Sequence, residues 1–177
     1  MSQFHFQLSC FQSPLGPNSG LLADVSMRPS NRLEFTFNIT TGSQVVLPRP
    51  VSGPSRSDGL WQGTCFELFL GMEDESYIEV NVSPNGQYNH YYFLSYRERA
   101  PEKSDPVRKI HSRFFDFGDH MRCFGAIEFD PQFKFNHLHS IHPTAVIEFK
   151  EGLTYWATNH PLDKPDFHFR DCWTILD

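Results

Sequence analysis

Two nearby stretches of the sequence alternate polar and apolar residues in a way that could hold a polar ligand. Phe66, Leu68 and Leu70 share one face of a strand over residues 65–70, so Glu67 projects from the opposite face together with Cys65 and Phe69. In the same way, Glu79 and Asn81 share the polar face of a strand over residues 77–82. If both apolar faces pack on one core, Glu67, Glu79 and Asn81 lie together on the other side of the sheet.

These three side chains suit a sugar ligand. Carboxylates and amides supply directional partners for sugar hydroxyls, and the flat rings beside them, such as Phe69 and Tyr77, can stack on the C–H face of a pyranose. Glu67 and Glu79 could also be the carboxyl pair of a glycoside-active enzyme, although nothing in the sequence marks one of them as an acid of raised pKa. An ordinary solvated outer face of the sheet is the third interpretation.

A second group of polar residues lies near the end of the sequence, at His160, Asp166 and His168. A turn at residues 165–168 would let the Asp166 carboxylate orient the His168 ring. The alternative is that Asp166 caps its own turn and His168 bonds to backbone. We include all three residues in the predicted ligand site.

Three more histidines, His137, His139 and His142, are close together in the sequence. In an extended segment His137 and His139 would share a face, which is a geometry that a divalent metal can use. No acidic residue in the segment completes such a site. We therefore expect no bound metal.

Cysteine and charge content narrow the class of protein. The four cysteines are isolated and form no Cys-x-x-Cys pair: Cys10, Cys65, Cys123 and Cys172. We therefore expect reduced thiols and a cytoplasmic location. The first ten residues contain no basic start followed by an apolar run, so we also expect no secretory signal. The net charge of −6, with basic residues clustered only at 97–99 and 103–109, disfavours general nucleic-acid binding. No stretch approaches the roughly 18 apolar residues of a membrane span, so we expect no membrane contact.

Composition and periodicity predict the fold. The 177 residues fit a single domain, and 18 Phe, six Tyr and 13 Pro favour short strands over long helices. The predicted strands are residues 4–8, 22–27, 33–39, 65–70, 77–82, 88–96, 108–117, 121–129, 144–149 and 154–158. We predict an all-β fold, an antiparallel two-sheet β-sandwich of about ten strands with little helix. The loop over residues 40–63 is long enough to be functional.

Three blocks of the sequence resemble bacterial DOMON-like domain proteins, which are related to DOMON domains and to family 9 carbohydrate-binding modules. The blocks are DGLWQGTCFELFLG from residue 58, YIEVNVSPNGQYNHYYFLSYR from residue 77 and YWATNHPLDKPDFH from residue 155. The resemblance implies a β-sandwich of about ten strands in a superfamily whose members bind sugars or haem, usually without catalysis. Sugar-binding relatives clamp the sugar between tryptophans, for which Trp61 and Trp156 are the candidates by residue type.

The predicted function is therefore non-catalytic binding of a small ligand, most simply a sugar, without a cofactor. A haem-binding redox domain is the alternative that the resemblance leaves open, although neither Met72 nor Met121 has the sequence context of an axial ligand. The glycoside-active enzyme is the third possibility, and the oligomeric state is open. The predicted ligand-binding residues are Trp61, Glu67, Glu79, Asn81, Trp156, His160, Asp166 and His168.

Overall fold

Antiparallel strands make up nearly all of the regular structure. The computed structural model describes residues 2–12, 19–42, 44–101 and 106–176, so residue 43 of the predicted long loop and Lys103 of the predicted basic cluster lie outside the described residues. The strands within these ranges are β1 (Ser2–Cys10), β2 (Gly20–Arg28), β3 (Arg32–Thr40), β4 (Ser55–Arg56), β5 (Cys65–Met72), β6 (Tyr77–Val82), β7 (Gln87–Ser95), β8 (Glu98–Arg99), β9 (Val107–Asp116), β10 (His120–Phe129), β11 (Leu138–Phe149), β12 (Gly152–Ala157) and β13 (Thr174–Ile175).

Helix is limited to short 3-10 turns in the part of the chain that the structure describes. These turns are Leu60–Gln62, Phe135–His137 and Arg170–Cys172. No helix in the described ranges is long and apolar enough to span a membrane. The predicted all-β fold with little helix is confirmed.

The strands form one continuous hydrogen-bonded path. Its order is β4-β7-β6-β5-β11-β12-β1-β2-β3-β10-β9, with β8 paired to β7 and β13 paired to β11. β1 joins the two halves of this path, because its first part pairs with β2 while Ser9 and Cys10 pair with β12. The prediction of two separate sheets is therefore corrected: one curled sheet continues through β1.

The two halves of the sheet face each other across one core. Phe37 of β3 and Phe66 of β5 lie in different halves, and their ring centroids are 5.2 Å apart. Along β3 every second residue, beginning at Leu33, is buried, and the residues between them are partly exposed. The period-2 alternation thus selects the side chains that fill the core.

Strand β11 begins six residues before the predicted start at residue 144. Pro143 argues against a central strand, because proline has no N–H for the ladder. In the structure Pro143 lies between Ser140 and Ile141, which pair with β13, and the segment from Thr144 onward, which pairs with β12. A residue without an N–H fits at this gap, so the strand continues through it.

The extended β11 separates the three neighbouring histidines. His137 ends a 3-10 turn and His139 is exposed. His142 is completely buried, and its ring stacks on Trp173 at a centroid distance of 6.0 Å. No group of three or more His, Cys, Asp or Glu residues with the geometry of a metal site occurs among the described residues.

Candidate functional site

The outer face of β5 and β6 is covered by other parts of the chain. Every residue of both strands is buried, although alternate side chains point away from the main core. Phe69 and Tyr77, on this outer face, pack in a second apolar cluster with Trp173 from near the end of the chain. Trp61, in the 3-10 turn before β5, and Phe167 pack against the same cluster. The interpretation of this face as an ordinary solvated surface is therefore wrong.

The structure brings Glu67, Glu79 and Asn81 together beneath this cover, as the strand parity predicts. Glu67 lies directly opposite Asn81 in the register of β5 with β6. The Asn81 amide donates a hydrogen bond to Glu79 Oε1 at 2.8 Å, and the Thr144 hydroxyl donates to Glu67 Oε2 at 3.1 Å. Both carboxyl groups are almost entirely buried, at 3% exposure for Glu67 and 5% for Glu79.

A cavity of about 500 Å³ lies over these two carboxyl groups. Its wall is rich in aromatic rings: Trp61, Phe69, Phe93, Tyr155 and Phe167. Its polar and charged lining comes from Gln62, Glu67, Glu79, Arg97, Arg99 and His168. The volume is within the range of about 300 to 1,000 Å³ that is usual for small-molecule sites. Flat apolar walls over a buried polar floor suit a ligand whose ring has both an apolar face and polar substituents.

His168 is held in the cavity by Tyr77. The Tyr77 hydroxyl accepts the Arg97 N–H at 3.0 Å and lies 2.7 Å from His168 Nδ1. The hydroxyl can therefore donate its own hydrogen to Nδ1, which leaves the proton of the neutral ring on Nε2. Nε2 lies 3.7 Å from Glu79 Oε2. His168 thus presents an N–H toward the polar floor.

Asp166 caps its own turn and forms an ion pair with Arg97, and it makes no hydrogen bond to the His168 ring. Its Oδ1 accepts the backbone N–H of His168 at 3.1 Å, and it lies 2.9 Å from Arg97 Nη2. Its Oδ2 accepts the Tyr96 hydroxyl at 2.6 Å. The prediction that Asp166 orients the His168 ring is therefore corrected in favour of the capped turn, and Tyr77 orients the ring.

Burial determines the protonation states of the cavity floor. Loss of solvation, together with the nearby Glu79 charge, raises the pKa of Glu67 to about 8. Loss of solvation also raises the pKa of Glu79 to about 7, against the opposing effects of the Asn81 hydrogen bond and the positive charge of Arg99. The pKa of His168 is lowered to about 4, again mainly by burial. Near neutral pH the floor therefore holds a neutral imidazole and a carboxyl pair that retains at least one proton.

The structure places Trp156 and His160 away from the cavity. Trp156 is buried in the main core, where its indole N–H donates to Thr154 Oγ1 at 2.9 Å. His160 Nε2 lies 2.9 Å from the backbone oxygen of Ser9, at the junction of β1 with β12. The pair of tryptophans expected from the resemblance is thus not formed, and Trp61 alone reaches the cavity. The methionines considered as haem ligands, Met72 and Met121, are also in the main core.

Sequence reasoning missed Tyr155, Arg97 and Arg99. Strand parity could have identified Tyr155, because this residue points outward from β12 when its neighbour Trp156 points into the core. The arginines had no such signal. They follow β7 through a tight turn in which Arg97 adopts a φ of 57°, and the path of such a turn is not encoded in any periodic pattern.

Comparison with known proteins identifies the fold. No protein-family model matches the chain, and no curated protein matches it in sequence. A candidate carbohydrate-binding protein from Bacteroides uniformis superposes with a TM-score of 0.58 at 11% identity, over 96% of this chain and 85% of that one. A family 9 carbohydrate-binding module from Caldicellulosiruptor kristjanssonii, solved in complex with cellotriose, superposes with a TM-score of 0.51 at 8% identity, over 90% and 72% of the two chains. The chain therefore has a fold like that of the family 9 modules.

Proposed function

We propose that the protein is a non-catalytic carbohydrate-binding domain that holds a sugar in the cavity over Glu67 and Glu79, without a cofactor. The observation that carries this proposal is the composition of the cavity, in which aromatic walls surround a buried floor of carboxyl and imidazole groups. Both structural neighbours support it, since one is described as a candidate carbohydrate-binding protein and the other was solved with cellotriose. The motifs at residues 58–168 support the finer assignment to the DOMON-like branch.

The floor and walls of the cavity have complementary roles in this proposal. A protonated Glu67 donates a hydrogen bond to a sugar oxygen, and the Glu79 carboxylate accepts one from a hydroxyl. The Nε2–H of His168 supplies a further donor. Trp61 is only partly buried and lines the cavity, where its indole can stack on a pyranose.

We expect Trp61→Ala to weaken sugar binding by about tenfold to a hundredfold, because a stacked aromatic ring contributes about 1 to 3 kcal/mol. Isothermal titration calorimetry with a panel of mono- and disaccharides measures this change. Circular dichroism of the variant should match that of the native protein. Phe117→Ala is the matched control, since Phe117 is an exposed aromatic residue on the far half of the sheet. The proposal fails if no sugar binds the native protein, or if Trp61→Ala binds as tightly as the native protein does.

A glycoside hydrolase is the second candidate, and the two buried carboxyl groups in one cavity favour it. Glu67 and Glu79 are diagonal neighbours on adjacent strands, which places their Cα atoms about 7 to 8 Å apart. A carboxyl group with a pKa of about 7, as for Glu79, can act as an acid near neutral pH.

Product analysis distinguishes the two functions. An oligosaccharide that binds the protein should remain intact on prolonged incubation, as followed by mass spectrometry, because a binding domain does not cleave its ligand. Release of shorter products that disappears in Glu79→Gln, while this variant still binds the oligosaccharide, would instead establish the hydrolase.

A further inference from the structure

The two arginines that line the cavity differ in their partners. Arg97 is neutralised by Asp166 and also donates to the Tyr96 hydroxyl. The Arg99 guanidinium lies over the Tyr91 ring, 4.0 Å from the centroid. Within the described parts of the chain, no carboxylate forms an ion pair with Arg99 and no acceptor hydrogen-bonds to its guanidinium. Its hydrogen-bond donors are therefore available to a ligand in the cavity.

Of the two floor carboxyl groups near Arg99, at most one is ionised near neutral pH. The nearby Glu79 and Glu67 share at least one proton near neutral pH, because burial raises the pKa of both. His168 is neutral for the same reason. Asp58 lines a second cavity together with Arg99, and its carboxylate accepts hydrogen bonds from the Tyr91 hydroxyl at 2.7 Å and from the Asn89 amide. The cavity thus presents a positive group in a protein whose net charge is −6.

A guanidinium with free donors is suited to a carboxylate, which it binds through two parallel N–H···O bonds. A hexuronate combines such a carboxylate with a pyranose ring that can stack on Trp61 and with hydroxyls that can reach Glu67 and His168. A neutral sugar would leave the Arg99 donors to water. On these grounds we infer that the cavity takes a sugar acid, a hexuronate unit, with its carboxylate against Arg99. This inference rests on the proposed function and names the class of its ligand.

Calorimetry with matched probes tests the inference. The probes are methyl glucuronide, methyl galacturonide, the methyl esters of both acids, and methyl glucoside. At least one of the acids should bind the native protein about tenfold or more tightly than its own ester, since hydrogen bonds to a charged group are the stronger ones. Arg99→Gln should remove this preference by lowering the affinity for the acid far more than the affinity for its ester. Arg113→Gln, which removes the same charge from an exposed position on β9, should retain the preference.

The outcomes separate this inference from the proposed function. If methyl glucoside or the esters bind as tightly as the acids, the hexuronate inference is wrong while carbohydrate binding stands. If the preference for an acid survives Arg99→Gln, the placement of the carboxylate at Arg99 is wrong. If none of the probes binds and a broad sugar panel also gives no binding, both proposals are wrong.

Discussion

Phe66→Ala should lower the free energy of unfolding by about 3 to 5 kcal/mol, the usual loss for a fully buried aromatic ring. The Phe66 ring is inaccessible to solvent and contacts rings of the opposite half of the sheet, with centroids 5.2 Å from Phe37 and 6.3 Å from Phe114. Truncation leaves a void between two hydrogen-bonded halves, which cannot close without disturbing strand pairing. Urea unfolding followed by circular dichroism measures the change.

Phe117→Ala provides the control for this experiment. Phe117 is 55% exposed in the turn after β9, so its truncation should change the free energy of unfolding by less than about 1 kcal/mol. A similarly small loss for Phe66→Ala would contradict the position of Phe66 at the centre of a shared core.

Glu67→Gln should stabilise the folded protein at pH 8.5 by roughly 2 to 4 kcal/mol. The folded state raises the pKa of Glu67 from 4.5 to about 8, mainly because the carboxyl group is buried. Between these two values the unfolded chain has released the proton and the folded chain retains it, so stability falls as the pH rises through this window. Glutamine never ionises, and its amide oxygen can still accept the Thr144 hydrogen bond.

Urea unfolding at pH 5 and pH 8.5 measures this effect. The variant and the native protein should differ little at pH 5 and diverge at pH 8.5. Glu151→Gln, in the exposed turn between β11 and β12, is the matched control and should show no such divergence. A stabilisation by Glu67→Gln that is equal at the two pH values would exclude ionisation of Glu67 as its cause. Retaining a destabilising acid at a cavity floor is typical of a residue kept for function.

Strand parity predicts which polar side chains form the floor of the cavity, but it does not predict which segments cover that floor. A period of two residues determines which side chains share a face, so Glu67, Glu79 and Asn81 could be grouped correctly. The segments that bury this face, around Trp61 and Phe167, are irregular, and their path depends on contacts between residues far apart in sequence. The same parity leaves open which face of a strand meets the core. Trp156 is a candidate for the ligand site by residue type alone, and the structure places it in the core.

The junction at β1, where the two halves of the sheet meet, can form only late in the synthesis of the chain. The Ser9 hydroxyl bonds to the backbone of Ala157, 148 residues later, at the junction that joins the two halves of the sheet. At about 5 to 20 residues per second, a ribosome needs roughly 7 to 30 s to synthesise the chain between these points. During that interval this end of β1 has no β12 to pair with, and unpaired strand edges favour association with other chains. The two halves of the sheet therefore cannot pair at this junction until β12 leaves the ribosome. A chaperone that shields strand edges during this period would raise the yield of folded protein.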